Sequence, residues 1–171
     1  MIYFSNRPLG AVALCVAVAA AAPPGAARAD PSDDILGPGQ WRLVVSPYSH
    51  HFRYSAEHRY VWALGVERQR DDDWLAGASY FRNSFGQPSA YAYVGKRFPA
   101  LWGEPRLFAQ ASAGMLYGYR GKYKDKVPLN YNGFSPGALV GMGWQFNKQM
   151  AVTAHLLGDA ALMIQLSFDL R

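Results

Sequence analysis

The sequence predicts an all-β fold, an eight-stranded antiparallel up-and-down transmembrane barrel behind a cleaved signal peptide. Three observations carry this expectation. Apolar and polar residues alternate with a period of two over about eight runs of near ten residues. Past the leader no stretch reaches the roughly 18 apolar residues that a spanning helix needs, although half of the chain is hydrophobic and it holds 11 Tyr, 9 Phe and 5 Trp. The connections differ in length in the way that membrane barrels with short turns at one end and long loops at the other require.

The first 29 residues read as the leader. Arg7 gives a positive start, Leu9 to Ala22 is an apolar core too short to span a bilayer comfortably, and Ala27-Arg28-Ala29 has the small-x-small pattern of a cleavage site. Cleavage before Asp30 removes the single cysteine, Cys15, and takes the formal charge from +5 to +3. A mature chain without cysteine has no disulfide framework and no thiol catalyst. Residues 30–40, DPSDDILGPGQ, form a short periplasmic N-terminal segment, and 41–171 form the barrel.

The strand-like runs are 41–52, 58–69, 73–84, 89–98, 105–119, 133–146, 149–158 and 160–171. The second places Tyr60, Trp62, Leu64 and Val66 on one face and Arg59, Ala63, Gly65 and Glu67 on the other. In the fifth, Leu107, Ala109, Ala111, Ala113, Met115, Tyr117 and Tyr119 face Arg106, Gln110, Ser112, Gly114 and Gly118, with Phe108 and Leu116 as exceptions. The last sets Leu162, Ile164, Leu166, Phe168 and Leu170 against Gln165, Ser167, Asp169 and Arg171. No segment reads as helical. A soluble barrel of the lipocalin kind, with its apolar face turned inward, is the competing architecture. The long aromatic and aliphatic face opposite small and charged groups favours the membrane barrel.

With the N-terminus in the periplasm, the connections after the first, third, fifth and seventh strands face outward. They gather His50, His51 and Arg53, then Asn83 and Ser84, then Arg120, Lys122, Lys124 and Lys126 in the longest loop, YRGKYKDKVPLNYN. A serine hydroxyl attacks an acyl carbonyl once a neighbour removes its proton, and histidine titrates in the useful range. Adjacent residues on a strand point to opposite faces, so at most one of His50 and His51 serves an interior site. Asn-Ser before Gly86 is equally ordinary turn chemistry. His155 is expected to be an interior hydrogen-bonding residue. The histidine pair, with only His58 and Glu57 near it, is a weak metal signal. The four cations suit lipid phosphates, as attraction and as charge-assisted donors, and the tyrosines between them suit a membrane interface.

The stretches HFRYSAEH and GVERQRDDDWLAGASYFRNSFGQPSAYAYVGKRF resemble the lipid A palmitoyltransferase family of outer-membrane enzymes. His51-Phe52-Arg53-Tyr54 matches the family's His-x-Arg-aromatic motif, and Phe81-Arg82-Asn83-Ser84-Phe85 stands where the family has an aromatic, a basic residue, Asp-Ser and an aromatic. The resemblance implies a small eight-stranded barrel that moves a palmitoyl chain from an outer-leaflet phospholipid to lipid A. It implies His51 and Ser84 as the catalytic pair, and Pro47 and Pro136 as the prolines that open a lateral lipid gate. Asn83 replaces the family's aspartate; an amide orients an imidazole or holds an oxyanion but supplies no charge.

The expected function is therefore lipid A acyl transfer by a monomer in the outer membrane, with Arg53, Arg120, Lys122, Lys124 and Lys126 on lipid phosphates. Small or apolar inward positions, Val61, Ala63, Gly65, Gly114 and Leu116, leave room for an acyl chain or pack a narrow barrel tightly. No metal, organic cofactor or nucleic acid is implied. A lipid A deacylase would use the same residues with water as acceptor. A non-catalytic structural or surface-interaction barrel is the alternative from another class, and a channel ranks last because eight strands enclose little space.

Overall fold

The computed structural model describes residues 38–170; the leader, its cleavage site and most of the 30–40 segment lie outside the described residues. Eight strands form one closed sheet: β1 (Gly39–His51), β2 (Ala63–Arg70), β3 (Trp74–Arg82), β4 (Pro88–Phe98), β5 (Leu107–Tyr117), β6 (Phe134–Asn147), β7 (Met150–Leu157) and β8 (Ala161–Leu170). Each pairs antiparallel with its sequence neighbours, and β1 closes on β8. The connections 71–73, 99–106 and 148–149 mark one end, the turn rim. Those at 52–62, 83–87, 118–133 and 158–160 mark the other, the loop rim.

All eight expected strands are present, with two local departures. First, β2 begins at Ala63 rather than near residue 58. The register between β1 and β8 shifts between Val45 and Tyr48, which places Ser46 and Pro47 in a bulge. Pro47 has no N–H to donate, and the β1–β2 ladder ends at Ser46 opposite Ala63. The alternation of residues 59–62 thus continues in sequence without a β1 partner to make it a strand. Second, 3₁₀ turns occupy Leu101–Gly103 and Gly121–Lys126 inside loops, where the sequence showed no helical segment; turns this short leave no periodicity to read.

The polarity of the wall settles which side faces apolar solvent. Among the described residues six hydrophobic side chains are buried against fourteen polar or charged ones. Trp41, Leu64, Val66, Trp74, Tyr80, Val94, Met115, Val140, Met142 and Leu156 all lie exposed on the outer face. A lipocalin-like barrel has the opposite arrangement. This is a transmembrane β-barrel, in which hydrocarbon covers the outer face and backbone groups are satisfied by the closed ladder.

Charge is neutralised inside the half nearer the turn rim. Arg42 Nε donates to Asp169 Oδ1 at 2.7 Å and its Nη1 to Gln69 Oε1 at 2.5 Å. The Tyr93 hydroxyl donates to Glu67 Oε2 at 2.9 Å, and Gln110 Nε2 reaches the same oxygen at 3.4 Å. Arg97 Nη1 donates to Gln145 Oε1 at 3.0 Å while its guanidinium lies 3.8 Å from the Phe108 ring centroid. Phe108, an exception to the alternation, is thus an interior cation–π partner, worth about 2 kcal/mol when desolvated. Its ring lies over Gly143, where a Cβ would meet it at 2.2 Å, and Tyr93 lies over Gly77 in the same way at 2.6 Å. Rings fill the space that these glycines leave.

The half nearer the loop rim is filled differently. Ser46, Ser49, Ser89 and Ser135 are buried there, so hydroxyls take up part of the interior of this half. His155 is interior as expected, but among the described residues neither ring nitrogen has a hydrogen-bond partner, nor does the Ser49 hydroxyl.

Removing one partner of a buried ion pair strands the other charge. Asp169→Ala should therefore cost about 3–5 kcal/mol, read as a lower urea midpoint by tryptophan fluorescence in detergent micelles. Asp169→Asn, which keeps an acceptor for Arg42, should lose clearly less; equal loss in both would mean that the pair does not hold the seam.

Candidate functional site at the loop rim

Asn83 and Ser84 occupy the turn that joins β3 to β4. Asn83 Oδ1 accepts from the backbone N–H groups of Phe85 and Gln87, both at 3.0 Å. Its own N–H donates to the Gln87 carbonyl, and Gly86 N–H donates to the Asn83 carbonyl. Gly86 supplies the left-handed φ of +77° that the reversal needs. The asparagine side chain is thus first an organiser of the turn. It is also 1% exposed with Nδ2 unpartnered, which leaves a buried donor beside Ser84.

Ser84 is buried, and its side chain hydrogen-bonds the Tyr119 phenol; burial pushes that phenol's pKa up and the serine works against the shift. The Ser84 carbonyl accepts from Arg59 N–H at 2.8 Å, which ties the irregular segment before β2 to the turn. Among the described residues no hydrogen bond joins His51 to Ser84. His51 instead lies against His58, with ring centroids 4.3 Å apart. His58 meets Phe85 edge-on at 5.6 Å, and Phe85 stacks on Tyr123 at 4.3 Å. A continuous run of rings therefore connects the end of β1 to the turn carrying Ser84. His50 faces outward against Tyr48, whose hydroxyl lies 3.3 Å from Nδ1, so the strand does separate the two histidines as alternation requires.

The five basic candidates divide. Lys122 pairs with Glu57 at 3.2 Å and lies over the Tyr123 ring, and these two partners raise its pKa, Tyr123 first. Arg53 lies 3.8 Å from Asp159, both well exposed. Arg120, Lys124 and Lys126 have no ion pair among the described residues, and Lys126 lies 5.7 Å from the Phe85 ring centroid. Gln87 clamps the Arg120 backbone from both sides: its Oε1 accepts from Arg120 N–H at 2.9 Å and its Nε2 donates to the Arg120 carbonyl at 3.1 Å.

The wall is unzipped at two places near this rim. Residues 47–51 of β1 run past the end of the β1–β2 ladder. Across this gap the Tyr60 hydroxyl donates to the Pro47 carbonyl. On the other side, the β6–β7 ladder starts at Val140 opposite Leu156, so residues 134–139 of β6, Pro136 among them, have no partner on β7. Both expected gate prolines sit at these breaks, Pro136 while still paired to Met115 of β5.

His58, Tyr60, Tyr119 and Gln87 complete the arrangement, and none of them stood out in the sequence as a site residue. They lie in connections; the alternation puts Tyr60 and Tyr119 on the apolar faces of strand-like runs, and His58 reads only as a weak metal signal.

No family model matches the chain, and no curated protein does. Among solved structures, a designed transmembrane β-barrel is 16% identical with a TM-score of 0.55, covering 78% of this chain and 97% of that one. The solution structure of the designed barrel TMB2.3 is 18% identical with a TM-score of 0.52, covering 79% and 97%. The Yersinia pestis protein Ail, crystallised with sucrose octasulfate, is 11% identical with a TM-score of 0.42, covering 77% and 98%. At these identities the two designed barrels share the fold alone.

Two substitutions test the local geometry. Asn83→Ala removes the oxygen that accepts both turn hydrogen bonds and should cost about 2 kcal/mol, at ~1 kcal/mol per bond, whereas Asn83→Asp retains both bonds and should keep the stability in the same urea titration. Tyr60→Phe should accelerate amide exchange in residues 59–62 several-fold while leaving the β5–β6 hairpin unchanged; uniform exchange across both would show that the hydroxyl holds nothing across the gap.

Proposed function

We propose that this chain is an outer-membrane enzyme that transfers an acyl chain from an outer-leaflet phospholipid to lipid A. The observation that carries the reading is the break between β1 and β2 directly beside His51. An acyl chain dissolved in the membrane reaches a barrel interior only through its wall, and a missing ladder is where the wall costs least to part. The exposed aromatic face supports the membrane setting, and the signal-peptide pattern supports export.

In this reading Ser84 is the hydroxyl placed at the phospholipid ester, and His51 is the base that takes its proton once substrate draws the two together. A new Ser84 Oγ–carbon bond forms as the ester C–O bond breaks, and the departing lysophospholipid oxygen receives the proton. A lipid A hydroxyl then attacks the acyl-serine, and the proton returns to Ser84. Asn83 fits one of its two conceivable roles better than the other. Its oxygen is committed to the turn, so it does not orient the imidazole, while its free Nδ2–H donor suits a developing oxyanion. Arg53, Arg120, Lys122, Lys124 and Lys126 ring the mouth where lipid phosphates would lie.

A non-catalytic barrel is the second reading, and one observation favours it: Asn83 and Ser84 already have structural partners in Gln87 and Tyr119. Mass spectrometry of lipid A decides. Cells expressing the protein should show a gain of one palmitoyl-sized chain over cells lacking it, abolished by Ser84→Ala and by His51→Ala. Loss of an acyl chain would indicate a deacylase using the same residues. Unchanged lipid A under outer-membrane stress would remove both enzymes and leave the non-catalytic barrel.

A further inference from the structure

The long loop does more than scatter cations over the rim. Arg120, Gly121, Lys124, Asn130, Asn132 and Gly133 enclose a surface cavity of about 340 Å³, at the lower end of the range of about 300–1,000 Å³ for small-molecule sites. Two of its walls are fixed. Gln87 clamps the Arg120 backbone as described, and the guanidinium rests 5.6 Å from the Tyr117 ring centroid. Asn130 spends its amide on the loop itself, donating to the Tyr119 carbonyl and accepting from Gly133 N–H. The two basic residues that line this cavity, Arg120 and Lys124, have no carboxylate partner among the described residues, in contrast to Lys122 and Arg53. An arginine with a clamped backbone and a lysine on one hollow, neither with an ion pair among the described residues, suit an anion, most strongly one that accepts several charge-assisted hydrogen bonds.

The flanks of the cavity indicate where that anion is attached. Leu129 is 83% exposed and Tyr131 77% exposed, on either side of Asn130. Leu129 holds a left-handed φ of 51°, an unfavourable backbone for a leucine, and the Ser135 hydroxyl donates to the carbonyl of the preceding Pro128. An apolar tip held out in this way beside a cationic socket suits a ligand with a hydrocarbon part and an anionic head.

We propose that this cavity is a socket for a phosphate monoester on a membrane glycolipid, with Arg120 and Lys124 as its anion-binding residues and Leu129 and Tyr131 among the acyl chains. The proposal rests on the outer-leaflet orientation in the preceding reading and narrows its five cations to two. It requires no chemistry at Ser84.

The test measures binding to the full mature barrel in detergent micelles. Three probes are used: bisphosphorylated lipid A, the same lipid with both phosphates removed, and inorganic phosphate. Arg120→Gln and Lys124→Gln should each weaken binding of the phosphorylated lipid about tenfold, as loss of one charged hydrogen-bond partner implies. Arg82→Gln, which removes an exposed cation of the same rim outside the cavity, should change it less than about twofold. The dephosphorylated lipid should bind no better than the variants bind the phosphorylated one. Equal losses in all three variants, or equal binding of the two lipids, would overturn the socket in favour of diffuse attraction. Inorganic phosphate binding as tightly as the lipid would overturn the glycolipid assignment. Lipid A masses insensitive to Ser84→Ala, with socket binding intact, would remove the acyltransferase and leave the socket standing.

Discussion

Everything in this chain depends on closing a sheet in a solvent that offers no hydrogen bonds. A strand edge left open in hydrocarbon costs several kcal/mol for each unpaired group, so β1 has to find β8. On that seam Arg42 and Asp169 stand directly opposite each other in the register, both buried and joined at 2.7 Å. Such a pair is weak as a source of net stability, because desolvating both charges offsets most of the attraction. It is strong as a specification, because a one-residue slip of either strand turns that strand's charge into lipid and leaves the other buried without a partner. Glu67 and Arg97, with Tyr93, Gln110 and Gln145 as their partners, extend the same logic across the barrel. The half near the turn rim is thereby a solid polar plug, which leaves whatever this protein does to the other half.

That other half is built with less closure. The β1–β2 and β6–β7 ladders both stop short of the loop rim, one at a proline bulge and the other below a proline on the taller strand. Backbone groups in these gaps need other partners, and Tyr60 supplies one for Pro47. The serines that line this half bury little apolar surface, and His155 and Ser49 keep unsatisfied polar atoms inside it. A barrel selected only for rigidity has no use for such features. They lie near the same rim as Asn83, Ser84 and the cations Arg120, Lys124 and Lys126, so the proposed lipid chemistry falls in the polar, incompletely zipped half.

The fold was legible in the sequence because a strand exposed to two different solvents writes that difference at every second residue. Leu107 to Tyr117 could be assigned face by face, and the exceptions were informative: Phe108 broke the pattern because it serves Arg97 inside. The alternation of Arg59 to Trp62 misled for a definable reason, since periodicity records which way side chains point and not whether a neighbouring strand is there to pair. The candidate site was legible only in part. His51, Asn83 and Ser84 sit at strand ends and could be placed on one rim by counting turns. His58, Tyr60, Gln87 and Tyr119 act through the conformations of loops, which depend on contacts between distant segments and leave no period.

Asn83 shows how much the choice between an amide and a carboxylate can carry. A carboxylate there would accept the same two backbone N–H groups and, besides them, stabilise an imidazolium; the amide accepts the two and offers a donor instead. His51 lies against His58, and among the described residues no hydrogen bond joins it to Asn83, so a carboxylate at position 83 would have no imidazolium held against it. Under the acyl-transfer proposal the buried Asn83 N–H is the donor that a developing oxyanion at Ser84 would need. An amide at position 83 therefore fits the proposed acyl transfer by way of the oxyanion rather than by way of the base.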